Sequence, residues 1–231
     1  MIVFAEKTVY MFPLPLFHYF AIGAFIISVA VLHKFNNRPL RWFIPFLLFM
    51  VLVELGGRYL RKIAHEPNTW LYNISIPVEY LFYGFILGSL CITPSLKRII
   101  FYGTAILGIW VLINLFFVQG FTQLNTLTLK IGCSFMIITC CLGLVDLFRN
   151  DEHKTLLSNP LFWIIAGVLF FNAGEFSYHF LTDLFFEYGL DKTAKLFATI
   201  NNKLIFVLYT CISIALICSS KQEKKLQPTR S

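Results

Sequence analysis

The chain has 231 residues, of which 58% are hydrophobic and 13% charged, where an ordinary soluble domain carries about a quarter charged residues. Phenylalanine alone occurs 26 times, and the formal net charge is +7. These figures exclude a soluble enzyme, a disordered protein and a secreted disulfide scaffold, because a folded surface needs more polar cover than this chain can supply. The class that remains is all-α and polytopic, set in a membrane.

A helix needs about 20 apolar residues to cross the hydrocarbon core. Seven windows meet that need in chain order: 14–32, 42–60, 74–92, 99–118, 124–148, 161–181 and 194–219. Short polar or breaker-rich pieces separate them, among them HKFNNRPLR, RKIAHEPNTW, TPSLKR and VQGFTQLN. Pro, Gly and Asn punctuate these turns. No linker is long enough to separate one domain from another. The expectation is one seven-helix transmembrane domain over 1–219 and a basic cytoplasmic tail over 220–231. The first window has its positive charge after the apolar run, which is the polarity of a retained span and not of a cleaved signal.

Lys and Arg in short loops set orientation. With the N-terminus outside and the C-terminus in the cytoplasm, eleven of the 19 bases fall on the cytoplasmic side, six outside and two within spans. The RYLRK cluster containing Arg58, Arg61 and Lys62 opposes this bias. The basic loops and tail suit anionic membrane lipids, and no arginine-rich stretch with interleaved aromatics suggests nucleic acid. The expected location is the bacterial inner membrane. All six cysteines lie in apolar stretches with no spacing for a metal, so they read as small apolar filler and no metal site is expected. Asn73-Ile74-Ser75 matches a glycosylation sequon, but it abuts the membrane and is discounted.

Ionisable groups inside spans are the informative residues, since each costs roughly 2.5–3.5 kcal/mol at a helix centre. They are Glu54, Glu79, Lys130, Glu175 and Lys203. Counting residues from the span ends at 1.5 Å each places all five in one layer, roughly 8–13 Å below the outer surface. Each sits on a polar stripe: Glu54 with Arg58, Glu79 with Tyr83, Lys130 with Ser134, Glu175 with Asn172 and His179, and Lys203 with Asn202 and Thr199. Lipid cannot solvate such stripes, so they should face the bundle interior. The expected ligand-binding pocket is therefore Glu54, Arg58, Glu79, Tyr83, Lys130, Asn172, Glu175, His179, Asn202 and Lys203, opening outward. The competing expectation is a purely structural ion network, with Glu175–Lys203 and Glu79–Lys130 as its natural pairs.

Two resemblances bear on function. A lysine in the last of seven helices resembles the arrangement of retinal proteins in position, which implies Lys203 as the Schiff-base residue and Glu79 as counter-ion. The chain departs from their microbial pattern with Thr199 four residues before the lysine, where an Asp is usual. The segment IPVEYLFY resembles the PxEE-type motif of small membrane lycopene cyclases. That likeness implies Glu79 and Glu175 as acid/base candidates, but here a single Glu79 is followed by Tyr80, and no second copy of the motif is present. The residues themselves favour a receptor-like or sensory module that binds a small molecule or lipid and acts through a membrane or cytoplasmic protein partner. A small-solute transporter and an intramembrane enzyme acting on a lipid or isoprenoid are the alternatives. No cofactor is named by the sequence.

Overall fold

In the computed structural model of the chain, residues 14–32, 38–150, 156–188 and 195–226 are described, with backbone alone for 32, 38, 150, 182–187, 195, 197 and 223–226. Every element among them is helical: α1 (Leu16–Leu32), single-turn α2 (Arg38–Arg41), α3 (Phe43–Tyr59), α4 (Thr69–Leu90), α5 (Pro94–Ile113), α6 (Thr126–Asn150), α7 (Pro160–Glu187) and α8 (Lys195–Leu226). Wide π turns prolong α3 through Leu60–Ala64 and α5 through Asn114–Val118, and a 3-10 turn covers Leu156–Ser158. The Asp151-Glu152-His153 segment, Lys7, Lys34, Lys154, Lys192 and Arg230 lie outside the described residues.

The seven long helices coincide with the seven apolar windows, and five are long and apolar enough to cross a membrane: Pro39–Ala64, Pro94–Val118, Thr126–Arg149, Pro160–Leu181 and Ala198–Gln222. The other two fall short for different reasons. α1 has 17 residues, and α4 has 22 but carries Asn73, Ser75, Glu79 and Pro77 along its length. Several long apolar helices fit an integral membrane protein.

Six of the long helices close a ring. α1 packs on α8 and α3, α3 on α4, α4 on α6 and α7, α6 on α7, and α7 on α8. α5 lies outside the ring against α4 and α6. Its outer residues Tyr102, Ile106, Ile109, Phe116 and Phe117 are exposed, an apolar stripe of the sort that faces lipid. Gly84 of α4 sits against Thr104 of α5 so closely that a Cβ would collide with the threonine side chain, which is what lets these two helices touch.

Two polar fasteners tie one end of the bundle. At the end where α4 finishes and α6 finishes, the buried Asp146 carboxylate accepts backbone N–H groups from Ile92 (2.7 Å) and Thr93 (3.2 Å). It thus holds the α4–α5 turn to α6 across 53 residues of sequence or more. At the same end the Gln222 amide donates to the Ser158 carbonyl at 2.9 Å. Asp146→Asn keeps one acceptor oxygen and removes the charge from a charge-assisted pair, so it is expected to cost about 1–2 kcal/mol. A fall of the thermal midpoint in detergent by a few degrees checks this, at about 2–4 °C per kcal/mol for a chain this long; an unchanged midpoint would contradict it.

The half of the bundle nearer Asp146 is an apolar core. Phe43, Leu47, Ile86, Leu87, Met136, Ile164, Ile165, Ile212 and Leu216 are all buried. Phe46 stacks on Phe82 with ring centroids 3.7 Å apart, and Phe43 meets the edge of Phe82 at 5.0 Å. The opposite half is hollow.

Candidate functional site

The hollow is a cavity of about 810 Å³ at the centre of the ring. α4 supplies one wall with Tyr72, Ser75, Ile76, Glu79 and Tyr80, which follow i, i+3, i+4, i+7, i+8 spacing and so share one helix face. α8 supplies the facing wall with Ala198, Asn201, Asn202, Ile205, Leu208 and Tyr209 on the same kind of stripe. α3 contributes Met50, Glu54 and Arg61; α7 contributes Phe171, Glu175 and His179; Phe17 of α1 and Leu129 of α6 complete the ring. From Thr69 to Tyr80, or Ala198 to Tyr209, the lining spans 12 residues of helix, roughly 16 Å of depth. The mouth lies at Arg61, Asn68, Thr69 and Leu124, at the helix ends, and the floor is Met50, Tyr80, Leu208 and Tyr209.

Three carboxylic side chains from three helices face this space. Glu79 lies within electrostatic reach of both Glu54 and Glu175, and Tyr72 stands beside Glu54. Glu175 is 6% exposed, and its Oε2 pairs with His179 Nε2 at 3.1 Å, one turn further along α7. Its Oε1 is buried with no hydrogen-bond partner. Tyr80, between α4 and α6, is held by its hydroxyl to the Leu129 carbonyl (3.4 Å) and Cys133 Sγ (3.3 Å). No group of three or more His, Cys, Asp or Glu side chains among the described residues is close enough to hold a metal ion.

Of the ten residues singled out in the sequence, Glu54, Glu79, Glu175, His179 and Asn202 line the cavity. The other five do not. Lys130 is half-buried and Lys203 is exposed, and both fall one position past a lining residue, Leu129 and Asn202 respectively. One position turns the side chain about 100° around the helix, and a lysine stem is long enough to carry its ammonium to a wetter place. Neither expected pair, Glu175–Lys203 or Glu79–Lys130, is formed. Of the five charges expected in one layer, the three glutamates line the cavity and the two lysines lie outside its lining. Lys203 is also set apart from Glu79, against the arrangement that the retinal likeness implies. Tyr83 is 1% exposed within the apolar core below the floor. Asn172 is buried one turn below Glu175, where its amide donates to the Val168 carbonyl at 2.8 Å. Arg58 is half-buried outside the lining.

Sequence reasoning missed Tyr72, Ser75, Asn201 and Tyr209 as lining residues. The α4 spacing was available as a signal, but its members mix polar, aromatic and aliphatic side chains. Comparison with protein-family models, with characterised proteins and with solved structures returned no match.

Proposed function

We propose that the chain is a seven-span membrane protein, N-terminus outside and C-terminus in the cytoplasm, whose central cavity binds a small ligand and reports its occupancy to a partner protein. The single observation that carries this reading is the blind cavity of about 810 Å³, which lies in the range of small-molecule sites, about 300–1,000 Å³. Apolar walls with a few convergent polar groups are the usual make-up of such sites. Below Tyr80 and Tyr209 the bundle is a packed apolar core, which supports binding over passage of a solute from one end to the other. α1 and α4 cross with the other five helices on this reading, their polar or short character compensated by neighbours in the ring. The positive-inside bias supports the orientation.

A cavity-filling substitution tests the binding claim. Ile205→Trp places a large side chain into the space while leaving the three glutamates in place. The wild-type protein in lipid nanodiscs, screened against chemically varied small molecules, is expected to show saturable thermal stabilisation. The variant is expected to need at least about tenfold more compound, equivalent to 1.4 kcal/mol. Equal stabilisation of both proteins would place binding elsewhere, and the proposal would fall.

A further inference from the structure

We infer that the cavity is built for an organic cation, a small molecule carrying an ammonium or guanidinium group on an apolar body. This rests on the reading of the cavity as a ligand site and adds the chemistry of its occupant. Glu54, Glu79 and Glu175 face the space, while Lys130 and Lys203 stand outside it; among the described residues the basic side chains on the lining are Arg61 at the mouth and His179, already paired with Glu175. The interior is therefore short of positive charge, and in a low-dielectric setting an uncompensated carboxylate is costly.

A second observation is independent of the charge count. Among the described residues, the buried side-chain atoms on the lining without a hydrogen-bond partner are Glu175 Oε1 and Asn201 Oδ1. Both are acceptors. A buried acceptor left unmade costs about 1–3 kcal/mol, so the space calls for a donor. A bare metal ion does not fit, because no three acidic or histidine side chains among the described residues converge on one point. A larger cation does fit. The space is large, the carboxylates are spread over three helices, and Tyr72, Tyr80, Tyr209 and Phe171 add aromatic surface that attracts organic cations.

The test reads charge selectivity at one introduced thiol. Ser75 is 2% exposed, lines the cavity and lies one turn from Glu79, so Ser75→Cys places a thiol that reagents reach through the cavity. Full-length protein in nanodiscs is treated with 2-(trimethylammonium)ethyl or 2-sulfonatoethyl methanethiosulfonate. Each forms a mixed disulfide with the thiolate and expels methanesulfinate. Modification is followed by peptide mass, with each rate divided by that reagent's rate with free 2-mercaptoethanol. The normalised cation-to-anion ratio is expected to be about 10 or more, as for charge-focused clefts, and to fall at least about threefold in Glu79→Gln and in Glu175→Gln. Either glutamate variant suffices should the other fail to fold, and Lys203→Gln is expected to leave the ratio unchanged. A ratio near or below one with rapid labelling overturns the cation assignment and leaves the ligand site standing. Labelling no faster than at buried Cys133 shows the space closed to water and overturns both.

Discussion

Asn73→Ala is expected to destabilise the bundle by about 3 kcal/mol, the largest effect of any single polar truncation proposed for this chain. Asn73 is 1% exposed. Its amide donates to the carbonyls of Phe121 (3.0 Å) and Gln123 (2.7 Å), and its oxygen accepts the Asn125 backbone N–H at 3.1 Å. One side chain on α4 therefore satisfies three backbone groups of the turn that joins α5 to α6, about 50 residues away. Alanine leaves all three unmade, and each buried orphan costs about 1–3 kcal/mol, less where water reaches it. Asn73→Asp keeps the acceptor and loses both donors, so it should fall between alanine and wild type. Thermal midpoints of purified protein give the order, and an alanine variant as stable as the wild type would refute the fastening role. The same geometry argues against the Asn73-Ile74-Ser75 sequon as a glycan acceptor, since the amide is buried and its hydrogen bonds are taken.

Gly132→Ala is expected to cost about 2–3 kcal/mol by overpacking and to weaken ligand binding at the same time. A Cβ at Gly132 would run into the ring of Tyr80. The ring cannot swing away cheaply, because its hydroxyl is held at Leu129 and Cys133 and its surroundings leave it 4% exposed. Tyr80 lines the cavity floor, so displacing it alters the site as well as the packing between α4 and α6. Pairing the change with Tyr80→Ala supplies the check. If the clash is the cause, the double variant is less destabilised than the two single losses added, by about 1–3 kcal/mol of coupling. Additive losses would show that Gly132 acts through something other than Tyr80.

The helices were legible because lipid-spanning length and apolarity are local properties, and each window contains its own signal. The cavity was only partly legible. Glu54, Glu79 and Glu175 stood out as charges in apolar surroundings, and their common depth followed from rise per residue alone. What the sequence did not carry is rotation about each helix axis. On α8 the stripe Thr199, Asn202, Lys203 looks as good as Ala198, Asn201, Asn202, Ile205, yet they differ by about 100° of rotation, and only contact with α7 and α1 decides between them. A lysine blurs the matter further, since its Cα position leaves the ammonium several ångströms of freedom. Asn73 was unreadable for another reason. Its partners lie about 50 residues along the chain, so nothing near it in sequence distinguishes a fastening asparagine from an idle one.

The central claim is that Glu54, Glu79 and Glu175 face a common open space inside the ring of helices. An experimental structure of the full chain in lipid nanodiscs, at a resolution that places side chains, tests it most directly. The account predicts an open cavity bounded by these three carboxyl groups and floored by Tyr80 and Tyr209. Glutamates turned towards lipid, or a space filled by neighbouring side chains, would contradict it.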